Sequence, residues 1–397
     1  MRVYSMLFVF ALYSFAFSGT VVQAEGSSDS REHPSQKEMV QTQLENLGVD
    51  ELMNYWKEVV NEYGGYLPES QTGSLMDYLK GEKQFSIQAW FSAIVKFSIQ
   101  EVLKSGKLLG SLIVLTVLCA LLQSLQNAFE QGTVSKVAYA VVFMVLIVIA
   151  LNSFHIAIQY SKESIERMTH FSLALIPLLL ALIAASGGAV SAAFFHPVMI
   201  FLMNTSGLFI QNIVFPLLFL SVVVSMVSLF SKEYKATQLA SLLRNWSIGL
   251  LGILMAVFLG VVSVQGTATA VTDGLAVRTA KFVTGNFVPV IGRMLTETAD
   301  TVISASVLLK NTVGIAGMAI ILIIAAFPAV KILLIALIYK VAASVLQPIG
   351  AGPVITCLDI MSKSILYVFA ALAIVSIMFF LCITIIVTAG NITMMMR

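Results

Sequence analysis

The sequence predicts an all-α fold: a polytopic helical membrane protein with about 7 to 9 transmembrane segments and a small helical extracytoplasmic domain near its N-terminus. Three observations predict it. Hydrophobic residues make up 58% of the 397 positions and charged residues only 11%, which is more apolar surface than one soluble core can hide. Apolar runs recur at the length that crosses a hydrocarbon layer of about 30 Å at about 1.5 Å per helical residue. Charge is divided: residues 25 to 85 carry five Lys or Arg against twelve Asp or Glu, and residues 86 to 397 carry seventeen against nine. The net charge of +2 conceals an acidic front and a basic remainder.

The first element is a leader. Arg2, the run MLFVFALYSFAF and then SGTVVQA, with Val22 and Ala24 where a signal peptidase reads, predict a cleavable signal peptide over 1–24. The acidic extracytoplasmic helical domain is assigned to 25–106. EGSSDSREHPSQKE reads as a linker, and VQTQLENLGVDELMNYWKEVVNEYGG as one or two helices ended by Gly64 and Gly65. A helix from Ser86 closes the domain with Ile87, Trp90, Phe91, Ile94 and Phe97 on one side. That stripe suits the lipid interface or the surface of the domain itself.

A first transmembrane bundle is assigned to 107–264 and a C-terminal one to 312–397. The spans of suitable length are Leu108 to Ala128, Val137 to Phe154, Phe171 to Ser186, Trp246 to Val264 and Ser364 to Thr388. Pro197 to Phe230 and Thr312 to Leu346 would each reach about 50 Å as one helix. Each holds a proline near its middle, Pro216 or Pro328, and is expected to be two crossings or a broken helix. Lys232, Lys235 and Arg244 outnumber Glu233 in the loop before Trp246, which places that loop in the cytoplasm.

Residues 265–311 form the least apolar stretch of the membrane part and predict an amphipathic helical hairpin, extracytoplasmic or re-entrant. Val264, Ala268, Val271, Leu275 and Phe282 make one stripe. Gly285, Asn286 and Pro289 supply turn chemistry, and a second helix carries Arg293, Glu297 and Asp300 on its polar face. Small residues recur every four at Ala184, Gly188 and Ala192, and again at Gly252, Ala256 and Gly260, the spacing that lets helices approach closely. Gly187, Gly188, His196, Pro197 and Asn204, with Gln211 and Asn212, could instead line a pore or bond to neighbouring helices. With Gly285, Asn286, Pro289, Arg293, Glu297 and Asp300 they are the candidate pore or partner contacts.

Enzymatic constellations are missing from the sequence. It has no GxxxxGK[ST] loop, no GxGxxG after a strand and no HExxH, and His33, His155, His170 and His196 are scattered. No catalytic, cofactor-binding or metal residue is assigned, and the expectation is a protein that is not an enzyme. Cys119 and Cys382 lie in apolar runs and Cys357 reads as a loop residue; all three are expected to be small buried hydrophobes rather than disulfide partners.

The runs YGGYLPESQTGSLMDYLKG, NAFEQGTVSKVAYAVVFMVLIVIALNSFH, SGGAVSAAFFHPVMIFLMNTSG, TAKFVTGNFVPVIGRMLTETADTVISASVLLKNTVG and QPIGAGPVITCLDIMSKS resemble those of the stage III sporulation protein AE family of endospore formers. The resemblance extends over essentially the whole chain. It implies a multi-pass subunit of a channel or secretion-like complex between mother cell and forespore, needed for sporulation and for late forespore sigma factor activity. It implies partners as well: co-encoded stage III sporulation membrane proteins, including ring-forming components and a secretion-type ATPase, a channel partner in the forespore membrane, and a YidC-type insertase. The implied location is the cell membrane, specifically the mother-cell-derived outer forespore membrane. Membrane lipid is expected around it and nucleic acid is not. Two other classes stand beside this one: an autonomous permease for ions or small solutes, and a non-conducting assembly scaffold.

Overall fold

The computed structural model describes residues 50–66, 73–79, 86–128, 133–186, 188–230, 236–287, 291–349 and 352–395; over 265–301 it describes the backbone alone. All regular structure among these residues is helical. The expected signal peptide and linker lie outside them.

The first described helix is α1, Asp50–Tyr63. It buries Leu52, Trp56, Val59 and Tyr63, positions three or four apart that make one helical face. A short 3-10 turn, Gly64–Tyr66, follows, as the paired glycines predict. The next helix, α2 (Leu75–Leu79), is started by a capping box: the Ser74 hydroxyl accepts from the Met76 N–H at 3.3 Å, and Asp77 accepts from the Ser74 N–H at 3.1 Å. The Trp56 indole donates to the Gly73 carbonyl at 2.8 Å and ties the two helices.

Six helices or helix pairs among the described residues are long and apolar enough to cross a membrane, against the 7 to 9 crossings expected. The helices are longer than the expected spans. Helix α3, Ile87–Ala128, joins the expected interfacial helix to the first span without a break, and α4, Thr133–Ala185, joins the two spans expected at 137–154 and 171–186. The polar stretch between those spans, residues 159–170, contains Lys, Glu, Arg and Met but no Gly or Pro. Such residues sustain a helix once neighbours satisfy their side chains.

Of the two long apolar runs, the first is interrupted near its proline, as expected of a broken helix, and the second is not. Helix α5, Ala189–Phe209, passes through one turn of π-helix, Ile210–Val214, into α6, Phe215–Phe230. The wide turn lies just before Pro216, which has no N–H to offer the Asn212 carbonyl, and a π-bulge absorbs such a fault without breaking the helix. Helix α7 is Thr237–Phe287 and α8 is Ile291–Leu346, continuous through Pro328. Helix α9, Pro353–Met395, is the last described helix; Cys357 is a buried helical residue within it rather than a loop residue. At about 1.5 Å per residue, α4 and α8 are each about 80 Å long, more than twice the thickness of a hydrocarbon core.

Residue pairs fix the packing. Lys340 meets Asp359, Ser362 meets Ala336 and Gly314 meets Val387, so α8 and α9 run antiparallel. Tyr339 meets Ser153, Ile324 meets Ser164 and Gly317 meets Leu175, so α8 is antiparallel to α4 too. Close approach is achieved at Gly314 and Gly317, where a Cβ would collide with Val387 and Leu175. Small residues do bring helices together, but not at the Gly252 and Gly260 stripe foreseen for that role, where a Cβ would meet open space.

Candidate functional site

Charged residues gather where α1 meets α4 and α8. The site is built around a defect. Pro328 lies inside α8 and cannot donate to the Ile324 carbonyl one turn earlier. The Ser164 hydroxyl of α4 donates to that carbonyl instead, at 3.1 Å in a buried setting, the kind of side-chain repair that makes proline tolerable in membrane helices.

Aromatic rings from α1 and α3 converge on the residue before the proline. Phe327, fully buried, is stacked on Tyr63 of α1 with ring centres 3.9 Å apart and planes 3° from parallel. Phe97 of α3 meets the edge of Phe327 at 5.0 Å and of Tyr63 at 6.2 Å. Such ring pairs contribute about 0.5 to 1.5 kcal/mol each beyond their buried area. Trp90 and Phe97 of the α3 stripe pack on α1, with Trp90 6.3 Å from Trp56, while Phe91 of the same stripe is exposed.

Beside these rings lies a small cavity lined by Glu62, Tyr63, Tyr160, Glu163, Ser164, Arg167, Pro328 and Lys331. Arg167 of α4 donates to Glu62 of α1 at 2.6 Å across its edge. Burial raises the Glu62 pKa, but hydrogen bonds from Tyr63 and Arg167 and the charges of Arg167 and Lys331 outweigh it and hold the carboxyl below its ordinary range. Burial, and then the bond to Glu62, push the Tyr63 phenol far above its ordinary range, so it remains a neutral donor. Lys331 makes no salt bridge among the described residues; its ammonium lies 5.1 Å from the Tyr160 ring centre and 5.8 Å from that of Phe97, within cation–π distance.

The Glu62 and Arg167 side chains are 39% and 51% exposed, so their pair contributes no more than about 1 kcal/mol. Among the described residues no group of His, Cys, Asp and Glu could hold a metal.

The candidates read from the sequence lie elsewhere. Gly188 is buried at the start of α5, while Pro197 and Asn204 are exposed on that helix. Their separation of seven residues puts them on one outward face. His196 is on α5, but its side chain is outside the described residues, as are Gly187 and Pro289. Gln211 and Asn212 fall in the π turn, the first half-buried and the second exposed. Gly285 and Asn286 belong to the last turn of α7, and Arg293, Glu297 and Asp300 to the first turns of α8, with side chains outside the described residues. The joint itself was missed; its signal was the polar stretch 159–170 between two apolar runs, together with Lys331 three residues after Pro328.

Comparison with known proteins gives a consistent result. A family profile described as stage III sporulation protein AE matches residues 70–390. Stage III sporulation protein AE of Bacillus subtilis (strain 168) is 59% identical over 399 aligned positions that span 100% of both chains. No solved structure matches the chain.

Proposed function

This chain belongs to the stage III sporulation protein AE family, and we propose on that premise that it is a multi-pass membrane subunit of a transenvelope channel or secretion-like complex between mother cell and forespore. In this reading it supports late forespore sigma factor activity from the outer forespore membrane. Its partners are the co-encoded stage III membrane proteins, ring-forming components and a secretion-type ATPase among them, a channel protein of the forespore membrane, and an insertase of the YidC type. It is not itself an enzyme.

One observation carries this reading. The described bundle is packed through its middle, with α8 held against α4 and α9 at Gly317 and Gly314, and its charged joint lies between the N-terminal domain and the helices. A subunit that works by contacts with other proteins needs an anchored domain more than it needs a passage of its own. Affinity purification from crosslinked sporulating cells tests the assignment. The ring and ATPase components are expected to co-purify at more than ten times their level in an untagged control; recovery of the chain without them from intact membranes contradicts it.

A further inference from the structure

Residues 324–331 of α8, the helix with the missing hydrogen bond, gather aromatic and cationic contacts with α1, α3 and α4. Tyr63 is stacked on Phe327, Phe97 closes on both rings, and Lys331 lies over Phe97 and Tyr160. Across the cavity Arg167 holds Glu62, three residues along α4 from the serine that repairs the Ile324 carbonyl. From this convergence we infer that α1 is a latch: the Glu62–Arg167 pair and the Tyr63–Phe327 stack hold α8 in one conformation across Pro328.

Three physical points support the latch. A proline is the commonest place for a helix to bend, because the ladder lacks a bond there and the ring crowds the preceding turn. The repair at Ile324 comes from the same helix that holds Glu62, so moving α4 or α1 acts directly on the fault. Packed interiors resist movement, yet here a cavity of about 110 Å³ borders Pro328 on its polar side and gives the bend room. The latch does not depend on the proposed channel complex, and Arg167 acts as a positioning residue.

Distance measurement across the proline tests it on the full-length chain in detergent or lipid nanodiscs. Spin labels at Ile315→Cys and Leu337→Cys use two exposed positions on either side of Pro328, about 33 Å apart along a straight helix. The native cysteines are buried, and a chain without the introduced pair supplies the labelling control. The expected result is one narrow distance distribution that Arg167→Glu shifts or broadens by a few ångströms and that Glu62→Arg with Arg167→Glu returns to its original form. Arg167→Gln, a milder change, is expected to broaden it in the same sense if the reversal does not fold. An unchanged distribution in Arg167→Glu or Arg167→Gln, or failure of the exchanged pair to restore it, overturns the latch.

Discussion

Ser164 shows what one hydroxyl does in a long apolar helix. Its bond to the Ile324 carbonyl replaces the donor that Pro328 removes, and without it that carbonyl is left buried and unmatched. Leaving such an acceptor unsatisfied costs about 1 to 3 kcal/mol. Ser164→Ala should lower the thermal midpoint of the solubilised protein, and Ser164→Ala combined with Pro328→Ala should recover most of the loss, since alanine returns the missing N–H. Glu62 makes a second prediction, in pH. It faces Tyr63, Tyr160, Glu163, Arg167 and Lys331, and its folded pKa lies below the ordinary value. Its contribution is therefore fully present above the ordinary carboxylate range and is lost as pH falls through the lowered pKa. Compared with Glu62→Gln, the native chain should lose up to about 1 kcal/mol of advantage on acidification and show a constant difference from pH 6 to 8. Denaturant titrations of both proteins at neutral pH and at a pH below the ordinary carboxylate range would measure the loss.

At the scale of the element, the sequence was a good guide to which segments are helical and a poor one to where helices end. The face of α1 and the Gly64–Gly65 stop could be read directly, because an amphipathic period and a terminator agree there. In α4 the polar residues 159–170 looked like a loop because their partners, α1 and α8, are more than 100 residues away in sequence. Helix contacts were equally hidden: the small-residue spacing pointed to Gly252 and Gly260, but closeness depends on what stands opposite, and it is at Gly314 and Gly317 that a Cβ would collide with a neighbour. Gly314→Ala is expected to destabilise by about 1 to 3 kcal/mol, with Val387→Ala relieving part of the loss in a double-mutant cycle. The segment containing Arg293, Glu297 and Asp300 supplies a functional prediction at this scale. Their joint replacement by alanine should reduce spore yield at least tenfold while protein level and membrane insertion stay normal, as heat-resistant counts and membrane fractionation would show. Cysteine accessibility scanning over 265–311 and 348–363 would show which of these residues meet water.

For the whole molecule, composition already fixed a helical membrane protein, because 58% hydrophobic residues leave no soluble alternative. The candidate site was less legible. Sequence reading favours glycines, prolines and charges at the ends of apolar runs, whereas the joint at Glu62, Arg167 and Lys331 is assembled from three distant segments by packing. The central claim, that this sporulation membrane protein works as one subunit among others and not as a transporter by itself, is tested most directly by flux. Purified protein reconstituted alone into liposomes is predicted to give ion and small-solute uptake equal to that of protein-free vesicles; saturable uptake by the protein alone, abolished when it is heat-denatured, would contradict the account.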